Sequence, residues 1–329
     1  MTDLLDESHL TQGTTSPFLS GTKVQFAWDS TSIGAFKTCP RLYELTILEG
    51  WVPKSESVHL RFGIEYHHAL ETHARLRAEG LGHEDALRET IREVHSRIAD
   101  FDPDRTTKTG KYKNRETLLG LIIDYLDHFV DDPCETYIKS DGRPAVELSF
   151  RFELDWGPSV IEETPHEQPY ILCGHLDRVV DFNGSLFVMD HKTTTTTPGS
   201  YYFNQYEPNN QMTLYTLAGQ TVLHSPIKGV IIRAGQILLT EPSRFVSGFT
   251  YRTPGQLEEW LLDLRCHLNN AEACAESDYW PTNDTACDKF GGCKFREVCS
   301  KDPEVRENFL RADFTQLPED ERWNPLRSR

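Results

Sequence analysis

The chain has 329 residues, and its 51 acidic side chains against 34 lysines and arginines give a formal net charge of −17 at pH 7. This length predicts one large domain or two small ones, and no run of about 18 apolar residues occurs that could span a membrane. The N-terminal residues lack the basic start and apolar stretch of a signal peptide, so we expect a cytoplasmic protein. The negative charge, taken alone, argues against nucleic acid as a partner.

The first 140 residues combine a polar start with helical patterns. Residues 1–25 are rich in Ser, Thr, Gly and Asp, which is typical of a flexible arm. Apolar residues at three- and four-residue steps predict helices over 62–99, interrupted near Gly80–Gly82, and over 115–131. Between them, 105–115 carries five cations and no acid. This composition indicates a solvated loop or, as the less common alternative, a loop that grips a nucleic-acid backbone.

From residue 145 the pattern changes to strands. Asn183-Gly184 is a strong hairpin signal, so we expect the strand after it to return antiparallel to the strand before it. The last stretch, Gln316–Arg329, is polar and is expected to fray. Strands flanked by helices predict an α/β core. The predicted strands cover 145–154, Tyr170–Phe182, Ser185–Lys192 and Ile227–Leu239, and the predicted helices among them cover Asn210–Leu223 and Leu257–Ala275.

Three late cysteines indicate a metal or cluster site. Cys287, Cys293 and Cys299 are evenly spaced in a glycine-containing segment, so their thiolates can turn toward one point. This set is one ligand short, and Cys39, beside Pro40, is the candidate for the fourth. In a reducing cytosol a disulfide framework is the weaker interpretation. The other alternative is three unrelated cysteines near a terminus.

The predicted hairpin brings two carboxylates together. Asp177 lies six residues before Asn183 and Asp190 lies six after Gly184, and equal offsets place residues opposite one another with Cβ atoms about 5 Å apart. Facing carboxylates repel unless a cation lies between them, and Mg²⁺ or Mn²⁺ prefers such oxygen ligands. Lys192 shares their face and can stabilise charge that develops in hydrolysis. The alternative is a surface ion pair worth under about 1 kcal/mol.

Five ordered motifs from about residue 31 to 300 carry a family resemblance. They are Ser32-x-x-x-Phe36-x-x-Cys39-Pro40-Arg41-x-Tyr43, Phe62-Gly63-x-x-x-His67-x-x-Leu70-Glu71, Gly174-x-x-Asp177 with Asp190-x-Lys192, Gln211-x-x-x-Tyr215, and the three late cysteines. The set resembles the RecB-like branch of the PD-(D/E)XK nuclease superfamily. With its cysteines it is similar to the [4Fe–4S] nucleases of CRISPR adaptation and of bacterial helicase-nuclease subunits. Asp190 stands where Glu is commoner, and the cysteine spacing differs from the CRISPR type.

The resemblance implies a metal-dependent site and a cluster. The metal ligands for Mg²⁺ or Mn²⁺ would be His67, Asp177, Asp190 and the backbone carbonyl of His191. The catalytic residues would be Asp177, Asp190, Lys192, Gln211 and Tyr215, of which the last two would line the DNA strand. The [4Fe–4S] ligands would be Cys39, Cys287, Cys293 and Cys299, with Zn²⁺ as the alternative occupant. The motif frame alone selects His67 over His68. Glu147 also fits a family position, and its role as a metal ligand or in orienting the site or the fold stays open.

The resemblance also implies the fold and its organisation. The expected architecture is α/β, a restriction-endonuclease-like core in which helices flank a mixed sheet, with an N-terminal helical insertion and a C-terminal cysteine-cluster tail. The predicted regions are a flexible arm at 1–25, an N-terminal helical region at 26–140 with the first cluster cysteine and the histidine ligand, the nuclease core at 141–280, the cysteine cluster segment at 281–303 and the C-terminal tail at 304–329.

The function implied is that of a metal-dependent DNA nuclease. We expect an exonuclease that acts on single-stranded ends in recombination, repair or phage DNA metabolism, with DNA and other recombination or repair proteins as partners and no membrane. The alternative is a DNA-binding or assembly subunit with the same fold and little cleavage of its own. For Lys228 and Arg233 we consider a role as phosphate contacts. The net charge then predicts that most acids lie away from the cleft around Lys192.

Overall fold

The computed structural model describes residues 16–55, 57–159, 168–289 and 292–327. The chain divides into two compact units, each assembled from segments that are distant in sequence. The first unit comprises Met1–Ser55, Ser149–Gly174 and Pro254–Arg329, and the second comprises Glu56–Leu148 and His175–Thr253, as far as these are described. Of the predicted arm at 1–25, residues 1–15 lie outside the described part. Val24 and Gln25, within it, are buried.

Helices and strands alternate along the described chain. The strands are β1 (Ala27–Trp28), β2 (Trp51–Pro53), β3 (Cys134–Thr136), β4 (Val146–Glu153), β5 (Ile171–Phe182), β6 (Ser185–Thr194), β7 (Ile227–Gln236), β8 (Arg244–Tyr251) and β9 (Phe314–Gln316). The helices are α1 (Ser30–Thr38), α2 (Pro40–Tyr43), α3 (Val58–Ala78), α4 (His83–Arg97), α5 (Lys108–Tyr112), α6 (Arg115–His128), α7 (Ser200–Phe203), α8 (Asn210–Leu223), α9 (Pro254–Ser277), α10 (Arg296–Cys299) and α11 (Arg306–Asp313). No helix among these residues is long and apolar enough to cross a membrane.

The second unit is built on a mixed sheet. Strands β5 and β6 form an antiparallel hairpin, β6 runs parallel to β7, and β7 pairs antiparallel with β8. Helix α8 packs on this sheet so closely that a Cβ added at Gly219 would lie 2.9 Å from Ile227 and 3.2 Å from Val188. Parallel pairing needs a crossover connection, which α8 supplies between β6 and β7. The mixed sheet with flanking helices is the predicted architecture.

The turn of the β5–β6 hairpin confirms the predicted signal. Asn183 and Gly184 both have positive φ, 53° and 73°, as a two-residue hairpin turn of this type requires. Pairing then proceeds from Phe182 opposite Ser185 to Arg178 opposite Met189, with no shift of register. Equal offsets from the turn therefore do place residues opposite one another.

Helices α3, α4 and α6 pack around an apolar core in the second unit. The predicted interruption lies between α3 and α4, where Gly80 has a φ of 96° and Gly82 precedes the first residue of α4. Asn114 caps α6 by accepting from the backbone N–H groups of Glu116 and Thr117. Side chains that are fully or nearly fully buried in this core are Phe62, Tyr66, Ala69, Val94, Ile98, Leu118, Leu121 and Ile122.

The cationic segment 105–115 differs from a solvated loop. It contains the short helix α5, and Lys113, just beyond it, is only 6% exposed. Arg105 pairs with Glu116, and Arg115 donates to the carbonyl of Ala99. Three of the five cations are therefore engaged within the protein.

The first unit joins the beginning and the end of the described chain. The ring of Trp28 stacks on Tyr43 at 5.5 Å, and Trp280 lies 5.2 Å from Tyr43. Strand β2 pairs antiparallel with β9, and Arg322 donates to the carbonyl of Leu48. The expectation that Gln316–Arg329 frays is thus wrong for its described residues, because strand pairing at Gln316 and hydrogen bonds of Arg322 and Trp323 to the N-terminal segment hold them.

Candidate active site

Asp177 and Asp190 occupy neighbouring positions on β5 and β6. The last recorded pair of the hairpin is Arg178 with Met189, and the two aspartates follow at the next position of each strand. The backbone N–H of His191 donates across the strands to Asp177 Oδ2 at 3.3 Å. The hairpin register, which is set by a local turn, therefore brings the two predicted carboxylates together.

Helix α3 places His67 against the first of these carboxylates. Nδ1 of His67 lies 2.9 Å from Oδ2 of Asp177. The adjacent His68 points elsewhere, since its Nε2 lies 2.7 Å from Oε1 of Glu93. One residue along a helix rotates a side chain by about 100°, so only one of the two histidines can face the sheet.

A chain of polar contacts links the second carboxylate to α8. Lys192 Nζ lies 2.9 Å from Oδ1 and 2.8 Å from Oδ2 of Asp190. The same ammonium donates to Gln211 Oε1 at 3.3 Å, and Gln211 Nε2 donates to the Tyr215 hydroxyl at 2.9 Å. Gln211 and Tyr215 lie one helical turn apart on α8 and share a face. Four of the side chains named by the sequence motifs, Asp190, Lys192, Gln211 and Tyr215, therefore form one hydrogen-bonded row.

Burial and charge perturb the titratable groups of this row. Burial raises the pKa of Asp190, and the charge of Asp177 adds to it, so that it lies above its usual value although Lys192 opposes the shift. Burial also disfavours the charged form of Asp177, but the charge and hydrogen bond of His67 outweigh burial and hold its pKa below the usual range. Burial lowers the pKa of Lys192, yet the two carboxylates raise it above its ordinary value. The site thus places two interacting carboxylates beside the imidazole of His67 and the ammonium of Lys192.

Behind the row lies a buried network that sequence reasoning missed. The hydroxyl of Tyr125 lies 2.9 Å from His191 Nε2, and Arg233 Nη1 donates to the same hydroxyl at 3.1 Å. Arg233 also forms an ion pair with Asp132 at 2.6 Å and is only 2% exposed. The suggestion that Arg233 contacts phosphate is therefore wrong, because its guanidinium is buried and paired. No local motif marks this network, since its members come from three separate elements.

Two further residues complete the description of the predicted set. Glu147 has a φ of 46° in β4, and its charge is one of the influences that, after burial and the two aspartates, raise the pKa of Tyr215. Glu147 thus lies in the electrostatic surroundings of the row. Lys228 is exposed on β7.

The four cysteines of the predicted cluster all belong to the first unit. The backbone N–H of Asn283 donates to Cys39 Sγ at 3.3 Å, and the N–H of Cys293 donates to the carbonyl of Cys287 at 2.8 Å. Burial, followed by the charges of Cys293 and Cys39, raises the pKa of the Cys287 thiol. Burial and the same two cysteines also raise the pKa of Cys299. All four are free thiols, and Cys287 and Cys299 each respond to the charges of Cys39 and Cys293.

Neither set is arranged as a completed metal centre. In the described parts of the chain, no three or more His, Cys, Asp or Glu side chains form a group that could hold a metal ion. In the second unit the carboxylates are instead contacted by His67 and Lys192. Ligation there would require these side chains to move.

The family match covers most of the sequence. The model of the PD-(D/E)XK nuclease superfamily matches residues 29–300, so the chain belongs to this superfamily. The class of protein is therefore a nuclease, and the substrate that the family implies is DNA. Its restriction-endonuclease-like fold agrees with the mixed sheet and flanking helices described above.

Comparisons with individual proteins are more distant. A crystal structure from Eubacterium rectale, provisionally described as an exonuclease, is 8% identical with a TM-score of 0.48, covering 88% of this chain and 92% of that chain. The structure of SSO0001 is 13% identical with a TM-score of 0.30, covering 74% of this chain and 77% of that one. None of the curated proteins matches the sequence.

Proposed function

We propose that this protein is a metal-dependent DNA nuclease of the RecB-like branch, an exonuclease that hydrolyses phosphodiester bonds at single-stranded ends. The observation that carries the proposal is the meeting of Asp177, Asp190 and Lys192 on one hairpin, with His67 against the first carboxylate and Gln211 against the lysine. These groups come from four elements of the second unit, α3, β5, β6 and α8. Recombination, repair or phage DNA metabolism would use such an activity.

The donor set fits a hard divalent ion. Asp177 and Asp190 supply carboxylate oxygens that interact unfavourably with each other, the Asp190 side chain is 1% exposed, and a cation between them relieves that repulsion. His67 and the backbone carbonyl of His191 would complete the protein ligands for Mg²⁺ or Mn²⁺. When bound, such an ion polarises the scissile phosphate and makes a water molecule more acidic.

The remaining site residues would orient the substrate strand and stabilise the negative charge that develops on its phosphate. Lys192 is fixed at both Asp190 and Gln211, and its side chain is 26% exposed, so its ammonium can reach an incoming phosphate and stabilise the negative charge that develops there. Gln211 is held by the Tyr215 hydroxyl, which leaves its amide oxygen turned to the lysine. Both side chains of α8 would line the DNA strand beside the cut.

The test is digestion of end-labelled single-stranded DNA with Mg²⁺ or Mn²⁺. We expect Lys192→Ala and Asp177→Ala to lower the rate about 100-fold or more, since the first removes the positive charge that would stabilise the reacting phosphate and the second removes a proposed metal ligand. Lys54→Ala, which removes an exposed lysine of the first unit, is the control and should keep the wild-type rate. Label at each end in turn gives the polarity. Cleavage that survives in both site variants would remove this assignment, and DNA binding without cleavage in the wild type would favour the assembly-subunit alternative.

We also propose a [4Fe–4S] cluster at Cys39, Cys287, Cys293 and Cys299. The support is that all four are free thiols, that Cys39 and Cys293 act electrostatically on Cys287 and Cys299, and that thiolates are the usual ligands of such clusters. Protein purified without oxygen should contain stoichiometric iron and acid-labile sulfide. Cys293→Ser should lose them, whereas the exposed Cys266→Ser should not. If the purified protein contains zinc and no acid-labile sulfide, the four cysteines bind Zn²⁺ rather than an iron–sulfur cluster.

A further inference from the structure

The chain segment from Lys192 to Gln211 begins and ends at the candidate active site, and we call it the excursion. It leaves at Lys192 and returns at Gln211, and the hydrogen bond between these two side chains, 3.3 Å long, joins its ends. Tyr201 lies at its middle, nine residues after Lys192 and ten before Gln211. The excursion rests on Gly248 of β8, which lies in register with Ile232 of β7 and, through it, with Asp190 of β6, so this resting point is two strands, about 10 Å, from Asp190.

The excursion is anchored on the sheet rather than free. The ring of Phe203 lies directly on Gly248 of β8, where a Cβ would come within 2.2 Å of it. Tyr206 is buried, and Arg252 Nη2 donates to its carbonyl at 2.9 Å. The hydroxyls of Tyr202 and Tyr206 lie 3.4 Å apart. Short helix α7, which carries Tyr201, is therefore held on the sheet by the residues that follow Tyr201.

The anchored tyrosines lie in the field of the catalytic pair. Burial and the bond to Tyr206 raise the pKa of Tyr202, and the charges of Lys192 and Asp190 act on the same phenol. Tyr202 in turn acts on Lys192. Tyr201, the preceding residue, turns away from the protein and is 91% exposed. The result is an almost fully exposed aromatic ring on a helix that is anchored to the sheet near Asp190.

We propose that Tyr201 is a stacking platform for an unpaired nucleobase next to the phosphate held at Lys192. An exposed aromatic face binds any base by stacking, worth about 1–3 kcal/mol, without reading its sequence. A base inside a duplex has both faces covered by its neighbours, so this subsite accepts unpaired strands. The inference rests on the proposed nuclease function and adds to it a residue that selects single-stranded substrate.

The experiment measures binding and cleavage separately. Binding of a fluorescent single-stranded oligonucleotide is followed by anisotropy without divalent ions, so that no strand is cut. Tyr201→Ala should weaken this binding about tenfold or more, whereas Tyr201→Trp should retain it. The control is Tyr251→Ala, an equally large side chain that is 49% exposed. Because Thr250 of β8 faces Tyr206, its neighbour Tyr251 points to the opposite face of the sheet, and binding should not change.

Abasic oligonucleotides supply the readout that a merely structural role would not move. A missing base should weaken binding of the oligonucleotide to the wild type only when it lies at one position near the end of the strand. The Tyr201→Ala variant should lose no further affinity when the base at that position is missing. In the cleavage assay the same variant should raise KM for single strands and leave kcat within about twofold. Wild-type affinity in Tyr201→Ala, or equal abasic losses in both proteins, overturns the inference. Cleavage that is insensitive to Lys192→Ala while Tyr201 still governs binding overturns the proposed nuclease site and leaves the stacking platform in place.

Discussion

Lys113 is a buried lysine without an acidic partner among the described residues. Its replacement by methionine should show how much the buried ammonium destabilises the folded protein. The side chain is 6% exposed, its ammonium donates to Thr193 Oγ1 at 3.2 Å, and it lies 5.2 Å from the centre of the Phe62 ring. Burial lowers its pKa from 10.5 to about 8. The folded protein therefore carries a charged group that its surroundings disfavour.

The size of this destabilisation and its change with pH follow from the lowered pKa of Lys113. The difference between 10.5 and about 8, at about 1.4 kcal/mol per pKa unit, corresponds to about 3 kcal/mol. Because the folded pKa lies below the unfolded one, the folded chain binds fewer protons between these values, and its unfolding free energy rises with pH across the window from about 8 to about 10.5. Below pH 8 the full cost is present. The bond to Thr193 and the contact with Phe62 offset it by about 1–2 kcal/mol.

Lys113→Met should therefore stabilise the protein at pH 7 by about 1–2 kcal/mol, and this advantage should fall by about 3 kcal/mol as the pH rises to 10.5. Urea unfolding of both proteins at several pH values measures the difference. Lys111→Met, two residues earlier and exposed, is the matched control and should change the unfolding free energy by no more than about 0.5 kcal/mol at any pH. A difference between wild type and Lys113→Met that does not vary with pH would refute the reasoning.

Three other substitutions each disturb a contact within one of the two units, and urea unfolding measures the effect on stability. Gly248→Ala should lower the unfolding free energy by about 1–3 kcal/mol, because the new methyl group collides with Phe203, and an unchanged value would contradict that contact. Glu272→Ala should cost about 2–3 kcal/mol, since the buried Tyr170 hydroxyl loses its acceptor, whereas Glu272→Gln should cost less. Asp132→Ala should cost about 3–5 kcal/mol by leaving a buried guanidinium unpaired, and a cost under about 1 kcal/mol would show that water reaches it.

The local elements and the hairpin were predictable from the sequence. Helix α8 begins and ends at the predicted residues, and the break after α3 lies where the glycines indicate it. Asn183-Gly184 selects its turn by backbone preference alone, and the period of two then carries Asp190 and Lys192 to the same face. These features depend on residues that are near one another in sequence.

The surroundings of the site were not predictable in the same way. The motif frame selects His67, but the contact with Asp177 arises from the packing of α3, and the Tyr125–Arg233–Asp132 network has no local pattern. Burial of Lys113 in a segment with five cations reversed the expectation of a solvated loop. A side chain's exposure depends on what the rest of the chain places over it.

The sequence by itself determined the α/β class, the hairpin with its two carboxylates and the ordered motifs of a PD-(D/E)XK nuclease, because hydrophobic period and turn chemistry act over a few residues. Only the tertiary structure decided that the units are assembled from interleaved segments, that the described C-terminal residues pair with β2, and that the excursion from Lys192 to Gln211 leaves Tyr201 exposed on a helix anchored to the sheet near Asp190. Each of these rests on contacts between residues far apart in sequence, whose energies add up only when the whole chain is folded.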